Sequence, residues 1–262
     1  MEFSTLLYEV KDKVARITLN RPDAANALDA QMGHELMLAS IRAGEDPSVR
    51  AVILTAAGKM FCGGGDLKHF AQQGERLPGH LKQLAGELHL AISRFARMEA
   101  PVIAAVKGSA GGAGLSLAIF ADIVLAAESA KFTLAYTRAG LSPDGGSTYF
   151  LPRIVGMRRA LEMALTNRVL SAKEALDWGL VTKVVADAQL QAEAQALAAH
   201  LAAGATHAFG AAKRLLQHSF SESLETQMEL EAQAISDQAR GAHAREGIAA
   251  FIAKRHPQFN GI

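Results

Sequence analysis

The chain has 262 residues, of which 50% are apolar and 20% are charged, a composition typical of a globular protein with a large core. Lysine and arginine number 27 against 26 aspartates and glutamates, so charge gives no reason to expect a nucleic-acid or membrane-surface partner. Cys62 is the only cysteine, which excludes disulfides and cysteine-based metal sites within one chain and favours a reducing compartment. Because a long apolar segment is lacking, we expect a cytoplasmic protein without a membrane span.

The first part of the chain combines strand and helix patterns. Residues 6–10 and 14–19 alternate in polarity as half-buried strands do, and the unbroken apolar run at 51–55 predicts a buried strand. Asp29 can cap a helix whose apolar side chains recur at helical spacing, and a second helix of this kind is predicted over 80–98.

The segment FCGGGDLK, residues 61–68, follows the predicted strand at 51–55. Its three consecutive glycines tolerate positive φ and let another molecule approach the main chain. Asp66 can cap a following helix, and such a turn leaves backbone N–H groups free to receive a negative oxygen. By itself, the segment is equally consistent with a tight strand-to-helix loop that carries no chemistry.

Residues 101–122 repeat this arrangement. PVIAAV predicts a buried strand, and KGSAGGAGLSLAIFAD predicts a glycine turn followed by a helix. The chain has no P-loop motif, and this glycine spacing does not match the dinucleotide-binding fingerprint. Repeated strand–turn–helix units predict a right-handed α/β fold, and two sets of free backbone donors that meet at one point would form an oxyanion hole.

The remaining elements are shorter, and they lead into an alanine-rich tail. Further strands are predicted at 123–126, at 131–133 and in VTKVV, and Ser171 with Glu174 forms a capping box. Helices are predicted in the tail near 189–203, 206–217, 221–240 and 242–255. We therefore predict a core over 1–186 and a helical region over 187–262 that packs on the core or on another subunit.

Five segments in this order resemble the enoyl-CoA hydratase/isomerase (crotonase) superfamily over essentially the whole chain: NRPDAANAL, FCGGGDLK, VKGSAGGAGLSLA, AGLSPDGGSTYFLPR and FIAKRHPQF. The SPDGGSTYFLPR segment and the tail are most similar to bacterial ring-1,2-epoxyphenylacetyl-CoA isomerase and related enoyl-CoA isomerases. The resemblance implies the ClpP/crotonase fold, an α/β spiral of ββα repeats with a C-terminal helical trimerisation region. It also implies a homotrimer or a dimer of trimers, an acyl-CoA ligand, no metal, and no cofactor other than the CoA of the substrate.

The resemblance also assigns roles to individual residues. The N–H groups of Gly65 and Ala113 would bind the thioester oxygen. The positions that would contact substrate or CoA are Ala24, Ala25, Gly63, Asp66, Leu67, Lys68, Phe251 and Lys254. Phe251 and Lys254 match tail positions that reach a neighbouring subunit's ligand in the family. The Lys254-Arg255-His256 segment is equally consistent with a solvated helix end.

The sequence departs from the hydratase pattern at two positions. Hydratases of this family use two glutamates, and the matching residues here are Ser116 and Tyr136. Water addition needs one group to activate water and another to handle the alpha proton, so ordinary hydratase activity is not expected. Tyr136 could orient a substrate or only pack, and Ser116 is expected to satisfy its hydroxyl locally.

Asp144 matches the acidic residue that acts as the base in isomerases of the family, and one carboxylate is enough to move a proton along a conjugated path. From the residues alone, Asp144 before two glycines and a helix is also good capping chemistry. We therefore expect an isomerase that acts through an enolate on an unsaturated or ring-epoxide thioester, in fatty-acid or aromatic (phenylacetate-type) degradation. The alternatives are a hydratase or thioester hydrolase of the same family and a non-catalytic acyl-CoA-binding subunit.

Overall fold

The computed structural model describes residues 2–259 and contains a six-stranded and a three-stranded sheet. The strands are β1 (Leu6–Lys11), β2 (Val14–Leu19), β3 (Ala51–Ala56), β4 (Val102–Val106), β5 (Ser109–Gly111), β6 (Ile123–Ala127), β7 (Lys131–Thr133), β8 (Leu170–Ser171) and β9 (Lys183–Val185). The large sheet has the order β1-β2-β3-β4-β6-β9, and the small sheet has the order β5-β7-β8. From β2 to β9 the neighbours in the large sheet are parallel, so the carboxyl ends of these strands lie at one edge.

Successive ββα units link the two sheets. In one unit, β4 lies in the large sheet, β5 lies in the small sheet, and a helix follows; β6 and β7 divide between the sheets in the same way. The chain after β3 makes only single-residue pairs, Cys62 with Ala110 and Leu28 with Gly65, before its own short helix. The predicted α/β architecture is confirmed.

Eleven helices surround the sheets within the described residues. They are α1 (Ala30–Glu45), α2 (Leu67–Ala71), α3 (Leu77–Arg97), α4 (Ala113–Ile119), α5 (Ser147–Val155), α6 (Met157–Thr166), α7 (Ala172–Asp177), α8 (Leu190–Ala202), α9 (Thr206–His218), α10 (Leu224–Ala239) and α11 (Ala242–Ile252). The predicted caps are confirmed at Asp29, which accepts from the Met32 amide, and in the Ser171–Glu174 capping box. Helix α3 begins three residues before its predicted start, because a proline in the first turn loses no helical hydrogen bond.

The core occupies both faces of the large sheet. Every residue of β3 and β4 is buried, in agreement with their unbroken apolar sequences. Helix α8 packs through Leu190, Ala194 and Ala198 on one face, where side chains of β3 and β4 form the second apolar cluster. The predicted boundary between two regions at residue 187 stays a prediction. Helix α8, which follows this boundary, packs against the large sheet.

The last three helices are attached more loosely. Helix α9 is joined to the core by an ion pair between Lys213 and Asp122, whose charged atoms are 2.7 Å apart. Helix α10 buries none of its side chains, and α11 buries only Ala250. Within residues 2–259, no helix combines the length and apolar character needed to cross a bilayer.

Candidate active site

The first glycine turn holds Gly65 by hydrogen bonds on either side of it. The Leu28 amide donates to the carbonyl oxygen of Gly64 at 2.7 Å, and the Asp66 amide donates to the carbonyl oxygen of Leu28 at 2.8 Å. In parallel pairing, the residue between two such bonds directs its own N–H to the opposite side. Among residues 2–259, no acceptor bonds the Gly65 N–H, so it is available to a ligand.

The second turn offers an equivalent group at Ala113, the first residue of α4. Gly112 precedes it at φ +53 and ψ −125, a conformation open only to glycine, and donates its own N–H to the Thr133 carbonyl oxygen. The Ala113 N–H lies in the first turn of a helix, where intrahelical acceptors are missing, and no other acceptor within 2–259 bonds it.

The two turns lie against each other because β3 and β4 are parallel neighbours that release both turns at the same sheet edge. A Cβ atom added to Gly64 would come within 3.0 Å of the Gly111 carbonyl oxygen. This close backbone approach explains why Gly64, at φ +108, has no side chain. The donors Gly65 and Ala113 both line one cavity of about 460 Å³.

The wall of this cavity is mostly apolar. Leucines and alanines of α3 and of the turn after β7 form much of the wall, together with Leu28, which precedes α1, and Phe70 of α2. These side chains are Leu81, Leu84, Ala85, Leu88, Ala135, Ala139 and Leu141. The polar lining includes Tyr136, Ser142 and Asp144, with Lys82 and Arg138 as the cations. An apolar cleft with few polar groups is the usual form of a small-molecule site.

Asp144 lines the cavity, and its backbone supports the next helix. The Asp144 carbonyl oxygen accepts from the Ser147 amide at 3.1 Å, and Gly146 is the N-cap of α5 without a side-chain cap. The alternative that the Asp144 carboxylate caps this helix is therefore wrong. Its Oδ1 instead accepts from the Tyr136 hydroxyl at 2.5 Å, and within residues 2–259 its Oδ2 accepts no hydrogen bond.

The two positions that match the hydratase glutamates carry hydroxyls that support Asp144. Ser116 Oγ donates to the Asp144 carbonyl oxygen at 2.9 Å and lies 3.0 Å from the Tyr136 hydroxyl oxygen. Burial of the phenol, together with the Asp144 charge, raises the pKa of Tyr136 well above its usual value. Tyr136 therefore stays neutral and acts as a donor.

His89 is a residue that the sequence reasoning missed as a neighbour of Asp144. Its Nε2 accepts from the Gly145 amide at 3.1 Å, which fixes the backbone directly after Asp144. His89 and Gly145 are 56 positions apart, and a lone histidine on a helix carries no local signal for such a contact.

The residues assigned to CoA lie in different environments. Gly63 and Leu67 line the cavity, and the Ala25 carbonyl oxygen accepts from the Gly63 amide, which places Ala24 and Ala25 beside the first turn. Lys68 lies on the exposed face of α2.

Asp66 caps α2 through the His69 amide and bonds the Arg21 guanidinium. Burial opposes ionisation of Asp66, but these two partners outweigh it and lower its pKa.

Phe251 and Lys254 are exposed and do not line the cavity of their own chain.

Cys62 lies directly before the glycines but is fully buried. Burial raises the pKa of its thiol to about 12, so it is a packing residue and not a nucleophile.

A family model described as enoyl-CoA hydratase/isomerase matches residues 9–261. The chain therefore belongs to this family of CoA-thioester enzymes, the crotonase superfamily.

Three relatives illustrate the similarity. A "probable enoyl-CoA hydratase" of Rhodobacter capsulatus is 42% identical over 100% of both chains. The 1,2-epoxyphenylacetyl-CoA isomerase of Escherichia coli is 39% identical over 100% of this chain and 99% of its own. The crystal structure of an enoyl-CoA hydratase from Polaromonas superposes with a TM-score of 0.92 at 34% identity, covering 97% of this chain and 98% of that one. These names include both hydratase and isomerase, so the comparisons do not decide between the two reactions.

Proposed function

We propose that this protein is an acyl-CoA isomerase that shifts a double bond, or rearranges a ring epoxide, through an enolate. The observation that carries the proposal is a single carboxylate, Asp144, with one oxygen unbonded within the described chain, in the cavity that Gly65 and Ala113 also line. One of the relatives, the 1,2-epoxyphenylacetyl-CoA isomerase of Escherichia coli, carries an isomerase name, which supports this choice of reaction class.

For the double-bond shift, the proposed mechanism uses one proton and no co-reactant. Asp144 Oδ2 takes a proton from a carbon conjugated with the thioester, and the electron pair of that C–H bond moves to the thioester oxygen. The Gly65 and Ala113 N–H groups stabilise the resulting oxyanion, each with a typical effect of about 10²–10³ on rate. Asp144 returns the proton to another carbon of the conjugated system while the carbonyl reforms.

Hydration is disfavoured because the second acid–base group is missing. Ser116 and Tyr136 donate their hydroxyl hydrogens to Asp144, and neither carries a charge that could take a proton from water. A metal and a redox cofactor have no step in this mechanism, and CoA enters as part of the substrate. We assign the CoA contacts to Ala24, Ala25, Gly63, Asp66, Leu67 and Lys68, with Phe251 and Lys254 acting on a second copy.

Substitution of Asp144 by asparagine tests the proposal. Because Asn keeps the shape but cannot accept the proton, we expect turnover of a 3-enoyl-CoA to fall roughly 10²–10⁴-fold. Binding of a saturated acyl-CoA, measured by calorimetry, should change little. Asp177→Asn, which alters an exposed ion pair with Lys173, is the matched control and should retain full activity.

Product analysis of the wild-type reaction separates the alternatives. A moved double bond supports the isomerase, whereas a hydroxyacyl product would assign a hydratase and free CoA would assign a hydrolase. If the wild-type protein binds thioesters without turnover, and Asp144→Asn changes nothing, the protein is a binding subunit and the proposal is wrong.

A further inference from the structure

The Tyr136 side chain makes the only hydrogen bond that the Asp144 carboxylate receives within residues 2–259. Tyr136 follows Ala135, which adopts φ +49, a left-handed conformation that is uncommon for alanine and costs about 1 kcal/mol. Tyr136 lies on the cavity wall, and its hydroxyl oxygen is 2.5 Å from Asp144 Oδ1. A strained residue directly before a functional side chain is a reason to ask what that side chain does.

We propose that Tyr136 is a positioning residue for Asp144: it holds Oδ1 and leaves Oδ2 as the one oxygen that receives the substrate proton. This inference rests on the proposed isomerase function and deepens it.

The physical argument is that a hydrogen bond to a carboxylate stabilises its charged form and fixes its direction. The donor must stay neutral for this, and burial of the phenol beside Asp144 opposes its ionisation. The bond fixes the direction of the Asp144 carboxylate, and orientation contributes strongly to proton transfer.

Ser116 has a different role from Tyr136, although the two hydroxyl oxygens are only 3.0 Å apart. Ser116 donates to the backbone carbonyl of Asp144, not to its carboxylate. Its loss should loosen the loop but leave the Tyr136 bond to the carboxylate in place. We therefore expect different results from substitution of Ser116 and of Tyr136.

Other charged or titratable groups near Asp144 must be separated from this effect. They are Lys82 and His89 on α3 and Arg138 in the turn after β7. His89 Nε2 accepts from the Gly145 amide and so also fixes the backbone beside Asp144. His89→Gln keeps an acceptor for Gly145, which makes it the control for this backbone contact.

The test is the split between kcat and KM for a 3-enoyl-CoA in Tyr136→Phe. Removal of the donor should lower kcat roughly 10-fold, with KM nearly unchanged. Ser116→Ala should lower Tm but leave kcat close to that of the wild type. Tyr149→Phe, at an exposed tyrosine on α5, should match the wild type.

A second measurement covers the case in which Tyr136→Phe does not fold. The chain has three tyrosines, so biosynthetic replacement of all of them by 3-fluorotyrosine is feasible. Fluorine makes the phenol a stronger donor, so kcat should change while KM stays nearly constant. The same labelling in Tyr149→Phe should give the same change.

A kcat that stays at the wild-type value in both experiments overturns the role of Tyr136. If Asp144→Asn is nevertheless inactive, the proposed function stands and only this inference fails. If Asp144→Asn stays active, the proposed function fails first.

Discussion

At the scale of single residues, hydrogen bonds decide which buried acids stay charged. Glu35 on α1 is only 3% exposed, but its carboxylate accepts five hydrogen bonds, from the amides and hydroxyls of Ser4 and Thr5 and from Gln31. Burial alone would raise the pKa of Glu35, and these bonds outweigh it and lower the pKa to about 2. The charged carboxylate therefore anchors the segment before β1 to α1.

This anchor predicts a pH-dependent stability. A lowered folded-state pKa stabilises the protein above the unfolded value of 4.5, and this contribution is lost as the pH falls from there towards about 2. Glu35→Gln should lower the free energy of unfolding by about 2 kcal/mol at pH 7, because it presents an amide to groups that need an acceptor. Urea unfolding measures this loss.

The difference between wild type and Glu35→Gln should narrow as the pH approaches 2. Glu231→Gln, at an exposed position of α10, is the control and should unfold as the wild type does. A gap that stays constant with pH would contradict the role of the Glu35 charge.

At the scale of elements, one arginine joins the pieces that hold the first glycine turn. The Arg21 guanidinium lies 3.0 Å from Asp66, which caps α2, and 3.1 Å from Asp29, which caps α1. It also donates to the Ala27 carbonyl oxygen. This side chain therefore connects the NRPDAANAL segment to the turn whose Gly65 N–H faces the cavity.

Arg21→Gln should lower kcat about 10-fold to 100-fold, since a shifted turn displaces the Gly65 donor from the oxyanion. The loss should be larger in kcat than in the binding of a saturated acyl-CoA. Steady-state kinetics and calorimetry check both, and Arg158→Gln on the exposed face of α6 is the control. A normal kcat in Arg21→Gln would show that the turn holds its shape without the arginine.

At the scale of the whole molecule, the last three helices present apolar side chains that nothing covers in a single chain. They are Leu216, Leu224, Met228, Ile235, Ile248, Phe251 and Ile252, each of which is more than half exposed. Surfaces of this kind mark interfaces between proteins. The buried Arg50 guanidinium holds the chain after α11, because it donates to the Phe259 carbonyl oxygen and to Gly204 and Thr206. Arg50 directly precedes β3, at the sheet edge opposite the cavity.

We therefore expect a homotrimer or a dimer of trimers, with a mass three or six times the 27.7 kDa of one chain. Light scattering after gel filtration measures the mass. The double substitution Leu224→Asp with Ile235→Asp should dissociate the assembly and lower activity, because Phe251 and Lys254 would no longer reach a neighbouring site. Glu229→Gln on α10 should leave the mass unchanged, and a monomeric wild type would contradict the expectation.

The features that were predictable from the sequence depend on neighbours along the chain. Strand polarity, the Asp29 and Asp66 caps and the Ser171–Glu174 capping box are local, and the structure contains all of them. The two glycine turns were also predictable, because each is a short run of glycines directly after an apolar strand. The order of five short segments was enough to identify the family, because each segment keeps its place along the chain.

Only the tertiary structure decided how these pieces meet. The contact of Gly64 with Gly111, the bond of Tyr136 to Asp144 and that of His89 to Gly145 depend on which strands are parallel neighbours and which helix faces them. The sequence by itself left Asp144 between a helix cap and a base. In the fold, Gly146 is the N-cap of α5 and the Asp144 carboxylate bonds the Tyr136 hydroxyl, because the packing of the whole segment, and not the local motif, determines which partner a side chain reaches.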